Sequence, residues 1–274
     1  MKKLLLLILV LFTVVNVKAT HIMGGEITWE CIKDPGNPDV GKYIFTMKLY
    51  RDCDGTTLST LSQILDVHYH PTVTQITVNW ISNTDISPIC DVTNSGNIAL
   101  DCQTNPVGAV EEYVYQSLPV PLPGIPPVTG WYFTWDQCCR NGATSNLLLS
   151  SPTAPGEGFT LRAGMFPFID PVTGVYKPAD PCFDSSPIFN ETPKTIICTG
   201  YPFAYSHNAS DAELDSIKYE WAEALDDPAI FPFVYNPPID PPLLTYIPPY
   251  SYTNPIPGNV NLDPITGEIS YNSN

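Results

Sequence analysis

Eight cysteines, at positions 31, 53, 90, 102, 138, 139, 182 and 198, set the first limit on what this chain can become. All of them lie downstream of residues 1–19, MKKLLLLILVLFTVVNVKA. There Lys2 and Lys3 precede an apolar run from Leu4 to Val15, and Val17-Lys18-Ala19 offers small residues before a cut. That order reads as a secretory signal peptide, and the run is too short to span a bilayer. An even number of cysteines in an exported chain points to disulfides rather than to metal or redox thiols. No CxxC occurs, and the adjacent pair Cys138-Cys139 is a poor metal-ligand spacing. The mature chain is therefore expected to start at Thr20, to be oxidised, and to reside outside the cell or on its surface.

The composition suits short strands joined by long, proline-stiffened loops. There are 30 prolines, while aromatic and β-branched residues are frequent. Glu26–Cys31 and Tyr43–Tyr50 alternate polar and apolar side chains around KDPGNPDVGK, a stretch dense in turn residues. They predict a first β-hairpin. Further strands are expected at Ile64–His70, Thr74–Ile81, Glu112–Gln116, Trp131–Asp136 and Gly158–Ala163. Leu118–Pro127, LPVPLPGIPP, lacks the donors of a central strand and reads as a stiff, exposed, polyproline-like connector. Only Ser210–Leu225 has a helix-like look, and Tyr219-Glu220-Trp221 fits a strand as well. The fold class is all-β.

A composition shift near Asp184 divides the mature chain. Residues 20–183 are expected to form a disulfide-linked, β-sandwich-like domain. Residues 184–274 alternate short extended runs with turns, as an immunoglobulin- or cadherin-like sandwich does. Pro228–Pro257 is a second proline-rich stretch. The chain closes on a strand at Val260, a turn at Pro264–Gly267 and the start of another strand at Glu268. Five or six strands stand where such a sandwich needs about seven. The second domain is therefore expected to be truncated, with its closing strand supplied beyond Asn274.

Charge excludes some partners. Losing the leader removes Lys2, Lys3 and Lys18 and no acid, so 12 basic residues become 9 against 28 acidic ones, a net −19. Nucleic acid and anionic membrane surfaces are poor partners for such a chain.

Candidate chemistry is sparse. On a strand, Asp66, His68 and His70 face one side, and two histidines two apart can reach one transition metal. Asp211, Glu213 and Asp215 alternate ahead of a strand, a pattern of hard oxygen donors that suits calcium. Neither Gly-x-Ser-x-Gly nor a phosphate-binding loop occurs, so no catalytic residue is assigned. Trp131, Tyr132 and Trp135 can stack on sugars, although alternating strand aromatics more often fill a core. All eight cysteines are disulfide candidates. Cys31 and Cys53 should not pair, because they sit at opposite ends of the hairpin, about ten residues at ~3.3 Å apart. Cys90 and Cys102, around an Asn-Ser-Gly turn, are the better local pair.

Several blocks taken in order carry a resemblance. These are HIMGGEITWEC from His21, KLYRDC from Lys48, VEEYVY from Val110, GWYFTWDQCCRN from Gly130 and CFDSSPIF from Cys182. Together they resemble the N-terminal region of large surface proteins of gliding and related bacteria of the Bacteroidetes type, which open on His-Ile-x-Gly-Gly-Glu-Ile-Thr-Tyr. CFDSSPIF resembles the entry to an immunoglobulin- or cadherin-like domain. In that domain the family shows Ala-x-Asp-x-Asp-Gly-Asp-Ser-Leu-x-Tyr, which Ala209–Tyr219 matches with Glu213 for an acid and Leu214 for the turn glycine.

The resemblance implies a secreted or cell-surface adhesion or structural module of a multidomain protein linked to gliding motility. Such proteins use the type IX secretion route, and no reaction is known for the family. Implied partners are other extracellular domains of the same protein and surface glycans or proteins. The resemblance implies no cofactor, and calcium is expected only from the acidic alternation at Asp211, Glu213 and Asp215. The alternative expectation is a metal-dependent or carbohydrate-binding extracellular enzyme built on His68 and His70. Beside the resemblance, Gly24-Gly25 is expected to free the backbone where the new N-terminus enters the sheet.

Overall fold

The computed structural model describes residues 22–88, 99–138, 140, 144–148, 158–168, 172–175, 182, 184–193, 202–227, 241–258 and 260–272. The signal peptide, His21, Cys90, Cys139 and Cys198 lie outside the described residues, as does much of Pro228–Pro257. The architecture is all-β, and no helix among the described residues is long and apolar enough to cross a membrane.

Seven strands form one antiparallel sheet. They are β1 (Ile22–Cys31), β2 (Tyr43–Asp52), β3 (Ser62–His68), β4 (Gln75–Asp85), β5 (Val110–Ser117), β6 (Trp131–Cys138) and β7 (Gly158–Met165). Their spatial order is β1-β2-β5-β4-β3-β6-β7. The first hairpin forms as its alternation predicts, with Cys31 opposite Tyr43 and Gly25 opposite Leu49. β3, β4 and β5 run as a meander, and β6 returns to lie beside β3. That is a Greek key. Its long return is the proline segment after β5, which therefore needs to donate nothing to a central ladder. The connector is not wholly exposed, however. Leu122 is buried in the core, and Val120 exchanges two backbone hydrogen bonds with Tyr43.

The sheet curls onto itself. Phe45 on β2 and Phe133 on β6 have three strands between them in the ladder, yet their ring centroids lie 4.6 Å from each other. Trp29 on β1 stands 5.7 Å from Phe133. These rings fill the centre with Met47, Leu49, Leu65, Val78 and Tyr115. Trp131 and Trp135 belong to the same core, so the packing reading of those aromatics holds. The two edge strands meet, because β1 touches β7.

That closure explains Gly25, and it corrects the backbone-freedom expectation. Neither Gly24 nor Gly25 has positive φ. A Cβ at Gly25 would instead lie 2.6 Å from the Lys48 carbonyl oxygen and 2.7 Å from Leu161 Cδ1. Close approach, not a left-handed backbone, requires the glycine.

Downstream strands are short. β8 (Ile188–Phe189) pairs with β10 (Ala209–Ser210), and β9 (Pro202–Ser206) pairs with β12 (Glu268–Asn272), which pairs with β11 (Asn261–Leu262). The closing strand-turn-strand thus forms as expected. Ser210–Leu225 contains no helix; its only regular structure is β10 and a bridge at Leu225. Leu225 accepts a hydrogen bond from the Thr160 amide, so the end of this stretch lies beside β7.

Among the described residues two disulfides close long loops. Cys31 pairs with Cys182 across 151 residues, and Cys53 pairs with Cys102 across 49. Cys31 and Cys53 are unpaired with each other, as the hairpin requires. The expected Cys90–Cys102 pair is overturned. β2 and β5 are neighbours, so the end of β2 and the loop entering β5 lie side by side, and Cys102 meets Cys53 there. Sequence proximity to Cys90 counts for less than that strand pairing.

Candidate functional site

The histidine stripe does not assemble. β3 ends at His68, and Tyr69 adopts φ 69°, which rotates His70 off the strand face. His70 is 7% exposed, and its Nδ1 accepts the amides of Thr72 and Val73 at 3.2 and 2.9 Å. Its ring packs 4.4 Å from that of Trp131. His68 Nε2 lies 2.7 Å from Thr134 Oγ1, while Asp66 accepts a hydrogen bond from Gln75 at 3.0 Å. Burial lowers the pKa of both histidines. Each member of the trio is thus placed in packing or in the ladder.

A cluster of three carboxylates does form, with one change of membership. Asp184, Asp211 and Glu213 bring ligand atoms within 4.8 Å of one another. Among the described residues this is the group that comes together, and Asp215 is not part of it. Asp184 enters from the segment carrying Cys182, which no spacing around Asp211 could announce. Asp211 Oδ1 accepts the amides of Glu213 and Asp215 at 2.9 and 3.0 Å, so this carboxylate organises the turn. Leu214, standing where the resembled family has glycine, adopts φ 64° and is exposed. The loop keeps its left-handed turn without the residue that takes it freely.

Glu213 works as a clasp. It accepts the Ser185 amide at 3.2 Å and the Ser185 hydroxyl at 3.1 Å, and it pairs with Lys33 just past β1. Ser185 Oγ in turn accepts the Cys31 amide at 3.1 Å, and Ser186 Oγ accepts the Trp29 amide at 2.8 Å. Everything here converges on the end of β1, beside Cys31–Cys182. Lys33 and the Ser185 donors hold the Glu213 carboxyl low despite its burial. Asp184 is left with the unfavourable share. Burial first, then Glu213, Asp211 and Asp215, push its pKa up to about 6.

A buried ion pair was not anticipated. Arg51, in the block KLYRDC, is 3% exposed and pairs with Glu111 on β5 at 2.7 Å. It also donates to the Gly55 carbonyl at 2.8 Å and sits 5.9 Å above the Tyr113 ring. Polar-apolar alternation would place Arg51 on the hairpin's core-facing side, which is the signal that could have found it.

No protein-family model, curated protein or solved structure matches the chain.

Proposed function

We propose that this chain is an exported, non-enzymatic module of a multidomain cell-surface protein, which adheres or displays rather than catalyses. What supports it most is the placement of its reactive side chains. His68, His70, Arg51 and Glu213 are each committed to structural contacts at strand ends. Two disulfides and a proline-built crossover suit an oxidising, protease-rich exterior. The resemblance to gliding-bacterium surface proteins adds a context, with other extracellular domains and surface glycans or proteins as partners.

Surface labelling of intact source cells, combined with adhesion and gliding assays of a deletion strain, tests this reading. The expected result is a labelled, oxidised chain beginning at Thr20 and a loss of attachment or gliding. A transition metal in the purified protein, with a hydrolytic or oxidative turnover that disappears together with the metal in His68→Ala, would overturn it.

Calcium belongs to the same reading only as a competitor of Lys33 for the three carboxylates, since a hard cation takes about 6–8 oxygens and Glu213 already has an ammonium beside it. Calcium should raise the melting temperature more in Lys33→Gln than in the parent chain. No rise in either protein removes the cation from the account.

A further inference from the structure

A cavity of about 440 Å³ opens between the outer face of the β1–β2 hairpin and the downstream strands. That is the size of an ordinary small-ligand site, and junctions between packed units are where such sites concentrate. The Gly24-Gly25 backbone lines it together with Glu26 and Tyr50 from the hairpin and Phe189, Glu191 and His207 from the downstream segments.

The two glycines differ in a telling way. Gly25 has no room for a Cβ. At Gly24 the nearest atom to a built Cβ is Tyr50 Cδ2 at 3.6 Å, an ordinary contact, and φ is not positive. Neither the backbone nor a close approach demands glycine at position 24. What its missing side chain preserves is the open space beside Tyr50.

The walls have a consistent chemistry. Phe189 and His207 lie 4.6 Å apart between ring centroids, across the cavity wall from the Tyr50 ring. Tyr50 donates to Glu26 Oε1 at 3.2 Å, and the Lys48 ammonium lies 3.2 Å from the same oxygen. Glu26 therefore already accepts an ammonium from one side. Glu191, a second acidic residue, also lines the cavity. Burial lowers the His207 pKa against the opposing pull of Glu26, and its ring offers a π face beside Phe189.

We propose that this cavity binds an organic ammonium group of the kind carried by a lysine side chain or a free alkylamine. Carboxylates at Glu26 and Glu191 supply the charge, and the faces of Tyr50, Phe189 and His207 receive the cation and its methylenes. The strongly acidic surface raises the local concentration of such ligands. A neutral sugar could stack on the rings but would gain no charge attraction from the two carboxylates.

Chemical-shift titration of the exported, oxidised chain at about 0.15 M salt, which screens loose surface attraction, tests the site. The amides of Gly24 and Gly25 and the His207 ring protons are followed. The probes are N-acetyl-lysine amide, 1,4-diaminobutane, n-butanol and glucose. Both ammonium probes should give saturable shifts, and the two neutral probes should give none. Tighter binding of the lysine amide assigns the site to a partner's side chain, and tighter binding of the diamine assigns it to a free amine. Glu191→Gln should weaken binding about tenfold, and Gly24→Val should abolish it at an unchanged melting temperature. Should Gly24→Val fail to fold, Phe189→Ala, whose ring is 42% exposed, should weaken binding about fivefold. Equal shifts with glucose or n-butanol, or ammonium binding that survives these substitutions, would overturn the proposal.

Discussion

The seven-stranded sheet and the segments after Cys182 are built from the same kinds of residues, yet they hold together differently. The sheet has a continuous core in which Phe45, Met47, Leu49, Leu65, Val78, Tyr115 and Phe133 are fully buried. Among the described residues of β8–β12, none is fully buried. Their nearest source of order is the end of β1. There Cys182, Ser185, Ser186 and Glu213 bind to Cys31, Trp29 and Lys33. The difference teaches that an element can be regular in hydrogen bonding and still draw its stability from a neighbour. Apolar burial is the dominant favourable term in folding, and short strands with wet faces supply little of it.

The largest effect should come from cutting the tether. Cys182→Ser opens a loop of 151 residues, worth about 4–5 kcal/mol in the chain-entropy view of a disulfide. Urea unfolding of the oxidised protein measures it. The comparison sharpens if the downstream strands lose protection from proteolysis before the sheet does. It breaks if both regions weaken together by the same amount.

Core truncation comes next. Phe133→Ala should cost about 3–5 kcal/mol, whereas Phe203→Ala on half-buried β9 should cost about 1 kcal/mol. Equal costs would show that the downstream sheet has a core comparable to the first. Gly25→Ala should destabilise by about 1–3 kcal/mol through overpacking, while Gly24→Ala should stay within about 0.5 kcal/mol.

Much of this was legible in the sequence because strand alternation is a local signal. The hairpin, the five following strands and the closing strand-turn-strand all follow from period-two patterning and turn residues. What was not legible is long-range. Cys102 pairs with Cys53 because β2 and β5 are neighbours, a fact of topology that loop length near Cys90 does not carry. Asp184 joins Asp211 and Glu213 from 27 and 29 residues away in the chain, because the Cys31–Cys182 link delivers it there. His70 reads as a strand residue until Tyr69 takes a left-handed conformation that its own side chain does not favour. Gly25 was visible as unusual, but its reason lies in Leu161 on the far edge strand.

Smaller effects test the clasp itself. Leu214→Gly should stabilise the chain by about 1 kcal/mol, since an exposed left-handed position costs a non-glycine residue that much. A loss of stability on this change would mean that the Leu214 side chain has a contact of its own. The Asp184 carboxyl predicts a pH response. Its folded pKa, about 6, lies above the ordinary carboxylate value near ~4, so the folded state holds the proton more tightly. The Asp184 contribution to stability should therefore rise as pH falls from 7 through 6 toward 5, against the opposite contribution of His68, His70 and His207, whose lowered pKa values make the unfolded chain the better proton acceptor there. Glu213 acts in the opposite sense, but only below the usual carboxylate range, because its pKa is lowered. On going from pH 7 to pH 5 the melting temperature of Asp184→Asn should change less favourably than that of the parent chain, because the variant lacks the proton uptake of Asp184.

Native-state hydrogen exchange, measured strand by strand in the parent chain and in Cys182→Ser, tests the dependence of the downstream segments on β1 most directly. The account predicts that β9 and β12 open in the parent chain at a lower free energy than β2 and β6, and that Cys182→Ser lowers protection in β9 and β12 first. Exchange of β9 and β12 at the same free energy as β2 and β6, unchanged by Cys182→Ser, would contradict it.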